Sequence, residues 1–374
     1  MKGWEETLSP QRELWVRIVC VEDTPVPGTD DRPASPVVPA GVPAHAGGRT
    51  VRRRVRTRAA RVAAGCGRGP APRAPSANSV EPAPCRRVGW QHRTVKTAGS
   101  SGRTAREWNV QDTGIDPVAH NRAAWDTYVR KGNEWTRPVS SEVVERARAG
   151  DWSVVLIGHE PVDRSWLPAD LTGKDVLCLA SGGGQQGPVL AAAGARVTVF
   201  DNSPGQLRQD RTVAERDGLD LRTVLGDMSD LGAFGDAEFD VVFHPVSNLF
   251  VPDVAPVWRE CFRVLRPGGT LLAGFLNPDV YLFDHDALDE RGELNVVHTL
   301  PYSDVARYSA EERAAKFGAD AALEYSHTLT GQIGGQLAAG FVLTGFTEAR
   351  HQSDASAAYL SHYFATRAVK AKRG

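Results

Sequence analysis

The sequence predicts an α/β fold in which helices cover both faces of a seven-stranded, mostly parallel sheet. Short apolar runs alternate with helical segments over roughly 200 residues, which is typical of this class. A glycine turn at 181–184 directly follows the first apolar run. Acidic residues then follow the second and third predicted strands, at the sheet edge where such folds bind ligands. We therefore expect a ligand site at that edge.

The first strand and its turn set the rest of the fold. Val176–Leu179 is continuously apolar, which predicts a strand buried on both faces. The turn Ser181–Gly184 follows, and a backbone without side chains can approach a ligand closely. Asp201 lies at the tip of the second predicted strand, where a carboxylate can accept hydrogen bonds from two ribose hydroxyls.

The other elements follow from the same alternation of apolar runs and turns. Asp116 fits a helix N-cap and Pro117 the first helical position. An RPGG turn at 266–269 suits positive φ at its glycines. The predicted helices cover 118–131, 142–149, 188–195, 204–217, 254–265 and 332–340, and the later predicted strands cover 196–200, 221–225, 239–243, 270–275, 346–351 and 359–369.

The first part of the chain differs in composition from the rest. Residues 1–110 carry 19 Lys+Arg and 9 Asp+Glu, whereas the remainder carries 25 and 36. Pro, Ala, Gly, Arg and Ser dominate it, so it cannot bury enough apolar area to offset the entropy of ordering. We expect a mostly disordered basic arm at 1–110, a helical lid region at 111–173, and a ligand-binding domain at 174–374 with an insertion at 277–330.

The basic run at 49–61, RTVRRRVRTRAAR, leaves three interpretations open. It is a patch for nucleic acid or another anionic surface, a solvated tail, or part of an upstream extension outside the working protein. Aromatic residues do not interleave it, which favours the solvated tail.

Cysteine usage and hydropathy indicate a cytoplasmic protein. No apolar run approaches the ~20 residues that span a bilayer. The cysteines form no C-x-x-C pair, and two fall in predicted core elements, which favours reduced thiols. They are Cys20, Cys66, Cys85, Cys178 and Cys261.

Five motifs occur in order along the predicted sheet. They are VLCLASGGG (176–184), VFDNS (199–203), GDMSDL (226–231), FDVVFHPVSNLF (239–250) and RVLRPGGTLLAGF (263–275). Together they resemble the class I S-adenosylmethionine-dependent methyltransferases, of the broad methyltransferase-domain type that includes quinone-biosynthesis and other small-molecule enzymes. The resemblance implies a Rossmann-like fold that binds S-adenosyl-L-methionine over 174–374, and it does not reach residues 1–110.

The same resemblance implies a set of cofactor contacts. Asp201 would hold the ribose hydroxyls, with Asn202 beside the adenine. Asp227 would bond the adenine amino group, and Met228 would pack on the ring. The implied cofactor-binding residues are Ala180, Ser181, Gly182, Gly184, Gln186, Asp201, Asn202, Asp227, Met228, His244 and Ser247.

The first motif departs from the family at two positions. Cys178 stands where an Asp or Glu is usual, and Ala180 stands where a Gly is usual. The usual acid commonly helps to orient the cofactor's amino group. The carbonyl of Gln185 or Gln186 is expected to accept from that ammonium instead. The alternative is a weakened or lost activity.

His244 is the candidate general base. It follows the fourth strand, and an unperturbed pKa near ~6.5 suits proton transfer from an oxygen or nitrogen nucleophile. The alternative is a structural histidine that bonds the backbone and shapes the pocket. The remaining histidines and acids show no metal-ligand spacing, so no metal is expected.

Further polar and aromatic residues have two interpretations each. They line the substrate pocket, or they belong to a solvated loop or to the ordinary core. These residues are Trp125, Tyr128, Trp135, Asp284, His285, Asp286, His298, Tyr302, Tyr325 and His327.

Three functions remain open on the sequence alone. The first is in-line methyl transfer to a small molecule, for which the protein holds both reactants within about 3–3.5 Å. The second is an NAD-dependent oxidoreductase, because Gly182-x-Gly184-x-x-Gly187 with Asp201 also matches the dinucleotide pattern. The third is a non-catalytic adenosylmethionine-binding module. Nucleic acid is not an expected partner, since the acidic part beyond residue 110 repels phosphate.

Overall fold

The computed structural model describes residues 114–372. A seven-stranded sheet with helices on both faces confirms the predicted fold class. The predicted arm at 1–110, its basic run and three cysteines (Cys20, Cys66 and Cys85) lie outside the described residues. The strands are β1 Asp175–Leu179, β2 Arg196–Asp201, β3 Leu221–Leu225, β4 Phe239–His244, β5 Leu265–Leu276, β6 Phe341–Ala349 and β7 Tyr363–Lys370.

The strand order is β3-β2-β1-β4-β5-β7-β6. The pairs from β3 to β5 are parallel, and β7 is antiparallel to both of its neighbours. From β1 the chain winds first toward β3 and then returns to β4 on the other side. Ligands bind at such a reversal, beyond the carboxyl ends of the strands.

The helices pack on both faces of this sheet. The predicted N-cap is confirmed, since Asp116 accepts from the backbone N–H groups of Val118 and Ala119. One π-helical turn, Thr330–Gly334, precedes the last helix. The helices are α1 Pro117–Lys131, α2 Ser141–Arg148, α3 Gln186–Ala192, α4 Pro204–Asp217, α5 Ala255–Val264, α6 His285–Arg291, α7 Asp304–Arg307, α8 Ala310–Phe317 and α9 Gly335–Ala339.

Strand β1 contributes alternate side chains to two separate apolar clusters. Val176 and Cys178 join a cluster with Leu190 of α3, while Leu177 belongs to a cluster with Trp258 of α5. A strand covered on both faces needs apolar residues at every position, which explains the run recognised in the sequence. Burial raises the pKa of the Cys178 thiol, so this side chain packs as a small apolar group.

Three strands begin four or five residues away from their predicted starts. β5 begins at Leu265 because this residue already pairs with Phe239 of β4, and the RPGG segment forms the register irregularity before Thr270 pairs with Val241. β6 begins at Phe341, earlier than expected. β7 begins at Tyr363, later than expected, because a 3-10 turn, Ala355–Ala358, interrupts the chain.

Candidate active site

One cavity, here called the main cavity, lies at the carboxyl ends of the central parallel strands. Loops after β1 to β4 form its floor, and helix α1 contributes one wall. Nine of the eleven predicted cofactor-binding residues line it. They are Ala180, Ser181, Gly182, Gln186, Asp201, Asn202, Asp227, Met228 and Ser247.

The glycine turn packs too closely for side chains. A Cβ on Gly182 would lie 2.7 Å from Gln206 Cβ and 3.1 Å from Asp201 Oδ2. The backbone N–H of Gly182 donates to Asp201 Oδ2 at 2.9 Å, and that of Gly183 donates to Asp210 Oδ2 at 3.0 Å. Two carboxylates therefore hold the turn, one from β2 and one from α4.

Both carboxylates are perturbed by their surroundings. Burial raises the pKa of Asp201 to about 6, although the N–H groups of Ser203 and Gly182 favour its charged form. Burial also raises the pKa of Asp210 to about 8, and the nearby charge of Asp201 adds to this effect. Each oxygen of Asp201 accepts one backbone bond, and a carboxylate oxygen has the capacity for a second donor.

The tips of β2 and β3 carry the other predicted contacts. Asn202 donates from Nδ2 to Val118 O at 2.8 Å and accepts from Arg122 Nε at 3.1 Å, which joins β2 to helix α1. Asp227 accepts from the backbone N–H and the hydroxyl of Ser229. Met228 beside it is 8% exposed and lines the main cavity. A carboxylate next to an apolar surface suits a flat, polar-edged ring.

Three polar atoms of residues that line the main cavity are buried and have no hydrogen-bond partner among residues 114–372. They are the indole Nε1 of Trp135, the hydroxyl of Ser181 and Oε1 of Gln206. Unpaired buried polar groups are costly, so such a set indicates a polar ligand. The N–H and the O–H can donate to the carboxylate of an amino acid, and the carbonyl can accept from its ammonium.

The glutamines predicted to replace the missing acid are both held by the protein. Gln185 donates from Nε2 to Glu134 O at 2.9 Å, and Gln186 accepts from Val155 N–H at 3.0 Å. Both line the main cavity. The unpaired acceptor there, however, belongs to Gln206, which the sequence analysis did not single out.

His244 and Gly184 are the two predicted residues that do not line the main cavity. His244 is 0% exposed, with Nδ1 2.9 Å from Leu179 O and Nε2 2.6 Å from Asn248 Oδ1. Burial lowers the pKa of its imidazole and keeps the ring neutral. This position does not suit a proton acceptor for a substrate in the main cavity. Gly184 packs against Gln209 and Pro138 instead.

Of the ten other candidates, five line one of two cavities. Trp125 and Trp135 line the main cavity, and the Tyr128 hydroxyl accepts from Ala322 N–H at 3.0 Å. Asp284 caps α6, and Asp286 pairs with Lys316. His327 Nε2 lies 2.9 Å from Asn248 O, and Tyr325 is buried. His285, His298 and Tyr302 line a second, smaller cavity.

The predicted lid region contributes directly to the main cavity. Val118, Asn121, Trp125, Trp135 and Val155 all line it. Asn121 donates to Phe250 O at 2.9 Å, which attaches helix α1 to the loop after β4. The division of the chain into lid and domain stays a prediction.

Sequence reasoning missed several lining residues of the main cavity. Phe200 and Gly226 belong to recognised motifs, and a Cβ on Gly226 would lie 2.2 Å from Phe200 Cζ. Their positions within the motifs at 199–203 and 226–231 are the sequence signal that identifies them. Glu324 and Tyr363 come from segments without any motif, so only the folded structure brings them here.

Comparisons with known proteins agree with this architecture. The family model "Methyltransferase domain" matches residues 177–273. The uncharacterized methyltransferase YbaJ of Bacillus subtilis is 50% identical over 253 residues, which is 68% of this chain and 98% of that protein. The chain belongs to the class I S-adenosylmethionine-dependent methyltransferases. It is therefore an enzyme that uses S-adenosyl-L-methionine.

Two other proteins to which this methyltransferase is similar carry specific names. A ubiquinone biosynthesis O-methyltransferase of Thiobacillus denitrificans is 31% identical over 179 residues, covering 46% of this chain and 75% of that protein. A solved structure of Burkholderia thailandensis 1,6-didemethyltoxoflavin-N1-methyltransferase is 18% identical with a TM-score of 0.43, covering 69% of this chain and 92% of that one.

Residues 114–372 of this methyltransferase contain neither a candidate metal-ligand cluster nor a helix able to span a membrane. Among these residues, no group of three or more His, Cys, Asp or Glu side chains could hold a metal ion. Within the same part of the chain, none of the helices is both long and apolar enough to cross a membrane.

Proposed function

We propose that this methyltransferase modifies a small molecule and that the main cavity holds its cofactor. One observation carries the proposal. The glycine turn, the carboxylates of Asp201 and Asp227 and three unpaired polar atoms all converge on a single cavity. The ubiquinone-biosynthesis relative supports a small-molecule acceptor.

The roles of the lining residues follow from their chemistry. Asp201 accepts from the ribose hydroxyls, while Asp227 and Met228 bind the adenine edge and face. Trp135 and Ser181 donate to the amino-acid carboxylate, and the carbonyl of Gln206 accepts from the ammonium. When bound, S-adenosylmethionine supplies an electrophilic methyl carbon on a sulfonium.

His244 takes a positioning role in this proposal. Its ring spans from the last carbonyl of β1 to Asn248, which follows β4. Ser247 lies between His244 and Asn248 in sequence and lines the main cavity. Its hydroxyl donates to Pro245 O at 2.9 Å. The imidazole thus fixes the loop after β4 in the shape that the cavity requires.

Charge and cysteine usage extend the proposal to partner and location. Beyond residue 110 the chain carries 25 Lys+Arg against 36 Asp+Glu, which disfavours a nucleic-acid substrate. Cys178 and Cys261 are buried, free thiols. They suit a reducing, cytoplasmic compartment.

Calorimetric titration of the full-length protein tests the cofactor assignment. We expect saturable binding of S-adenosylmethionine and S-adenosylhomocysteine, and none of NAD. Binding of NAD without S-adenosylmethionine would overturn the proposal. Salt-sensitive binding of RNA or DNA by residues 111–374 alone would contradict the small-molecule assignment.

A further inference from the structure

We propose that Glu324 is the general base of methyl transfer, and that the acceptor is an aromatic ring compound with an acidic O–H or N–H. The ring would occupy the second cavity, here called the aromatic chamber, whose walls include Tyr281, Phe283, Tyr302 and Phe317. Glu324 lines both this chamber and the main cavity. The inference rests on the proposed function above.

Elimination within the main cavity leads to Glu324. Among the described residues, its titratable lining side chains are Asp201, Asp227, Glu324 and Tyr363. The first two lie at the strand tips assigned to adenosine. Burial raises the pKa of Tyr363, so its phenol stays protonated and is a poor base. No His, Cys or Lys of the described part lines this cavity, which leaves Glu324.

The backbone around Glu324 is anchored from both sides. Its own N–H donates to Asp304 Oδ2 at 2.8 Å, and Leu323 N–H donates to Asn121 Oδ1 at 2.7 Å. Tyr325 N–H donates to Leu249 O at 2.8 Å. Helix α1, the loop after β4 and the insertion therefore all hold the segment that carries this carboxylate. Such fixation suits a group that must meet a reacting atom.

The Glu324 side chain is itself buried and oriented. It is 6% exposed, and its Oε2 accepts from the Tyr281 hydroxyl at 3.1 Å. A carboxylate has lone pairs for several donors, so Glu324 can accept from a substrate O–H or N–H beside its bonds within the protein.

The walls of the aromatic chamber favour a flat ligand. The rings of Tyr281 and Tyr302 stack with centroids 4.9 Å apart and planes 18° apart. His298 also lines the chamber, and its Nδ1 atom is buried and has no hydrogen-bond partner in the described part of the chain. Burial lowers the pKa of His298, so this histidine stays neutral. A planar ring with a polar substituent would stack here and pair with that nitrogen.

The proposed step balances without a further reactant. The acceptor's oxygen or nitrogen forms a bond to the methyl carbon, while the carbon–sulfur bond breaks and its electron pair stays on sulfur. The proton that the acceptor loses moves to the Glu324 carboxylate. A positioned base of this kind contributes about 10²- to 10⁴-fold to the rate.

A transfer assay with labelled S-adenosylmethionine tests both parts of the inference. The ring probes are 4-hydroxybenzoate, catechol and 2-hydroxyquinoline, and the aliphatic probes are ethanolamine and serine. We expect methyl transfer to a ring probe only. Glu324→Gln should lower that rate about 100-fold or more and remove its rise with pH, because the amide cannot take a proton. Its affinity for S-adenosylhomocysteine should stay unchanged.

Two further variants complete the design. Glu348→Gln, on the exposed face of β6, is the matched control and should act as wild type. Glu324→Asp keeps a carboxylate, so it should retain the rise with pH at a lower rate. The inference would be overturned if methyl transfer occurred to the aliphatic probes alone or to none of the ring probes. It would also be overturned if Glu324→Gln transferred the methyl group at an undiminished rate. Failure of the wild type to bind S-adenosylmethionine would instead contradict the proposed function.

Discussion

The backbone N–H of Gly182 donates a hydrogen bond of 2.9 Å to Oδ2 of Asp201. This bond joins the glycine turn after β1 to the tip of β2. A second carboxylate, that of Asp210 on α4, accepts from the next N–H along the turn. The turn is therefore shaped by neighbouring elements, although β1 itself carries Cys178 where the family usually has an acid. Burial is the main cause of the raised pKa of the Cys178 thiol, and the nearby charge of Asp210 raises it further.

Asp201→Asn should weaken binding of S-adenosylmethionine by about 10- to 100-fold. The loss of charge-assisted hydrogen bonds from the ribose hydroxyls costs ~1.5–3 kcal/mol. Binding favours the ionised carboxylate, and burial raises the pKa of Asp201 to about 6. Wild-type affinity should therefore fall as the pH falls through 6 and stay level above it. Calorimetric titration between pH 5 and 8 measures both effects.

Asp220→Asn supplies the matched control for this experiment. Asp220 is exposed and precedes β3, at the opposite end of the sheet from the main cavity. Its variant should bind like the wild type at every pH. If Asp201→Asn kept full affinity and the same pH dependence, the ribose role of Asp201 would be wrong.

Gln206→Met should weaken binding of S-adenosylhomocysteine but not of methylthioadenosine. The thioether side chain matches the length of glutamine but lacks the carbonyl, whose oxygen is buried without a partner in the main cavity. Methylthioadenosine lacks the amino-acid part, so it is insensitive to a lost ammonium contact. Calorimetry with both ligands separates a specific loss from a general distortion of the cavity.

Two outcomes bear on the Gln206 assignment. Gln352→Met, at an exposed position between β6 and β7, should leave both affinities unchanged. Equal weakening of both ligands by Gln206→Met would mean that the side chain only supports the turn, against which it packs so closely that a Cβ added to Gly182 would lie 2.7 Å from Gln206 Cβ.

The sequence predicts the strands and the cofactor edge because these depend on local patterns. A continuous apolar run predicts β1, and an acid at the carboxyl end of β2 makes Asp201 a candidate cofactor contact. Glu324 carries no such signal, since its place depends on Asn121 and Asp304, both distant in sequence. His244 is the opposite case, because the sequence predicts its position at the carboxyl end of β4 but not its burial. A strand-tip position does not determine whether the ring points into the cavity or the core.

Asp210→Asn should make the stability of the protein less dependent on pH between 6.5 and 8. Burial raises the pKa of Asp210 to about 8, so in this range the folded state holds a proton that the unfolded state has lost. Stability from this group therefore falls as the pH rises, by on the order of 1 kcal/mol per pH unit, and levels off above pH 8. Asparagine has no proton to lose and can still accept from Gly183 N–H.

Urea unfolding at several pH values measures this slope. Histidines titrate near pH ~6.5 and unfolded cysteines near ~8.5, so the difference in slope between the variant and the wild type, rather than either slope alone, reports on Asp210. Asp220→Asn, an exposed position, should keep the wild-type slope. A slope that Asp210→Asn leaves unaltered would show that Asp210 is ionised in the folded protein throughout the window.

His244→Leu should lower the free energy of unfolding by about 1–3 kcal/mol, because the carbonyl of Leu179 and the amide of Asn248 lose their buried partner. The loop that carries Ser247 is then less well fixed, so the rate of methyl transfer should also fall. The shape of the pH–rate profile is the deciding measurement. A positioning residue leaves the rise with pH in place, whereas removal of the base abolishes it.

The pH–rate profiles of His244→Leu and Glu324→Gln should therefore differ in kind. His244→Leu should show the same rise of rate with pH to a lower plateau. Glu324→Gln should show a low rate that is nearly independent of pH. His244 is 0% exposed and its ring does not line the main cavity, whereas Glu324 does. A profile that became flat in His244→Leu and kept its rise in Glu324→Gln would reverse the two assignments and require the β4 loop to open during catalysis.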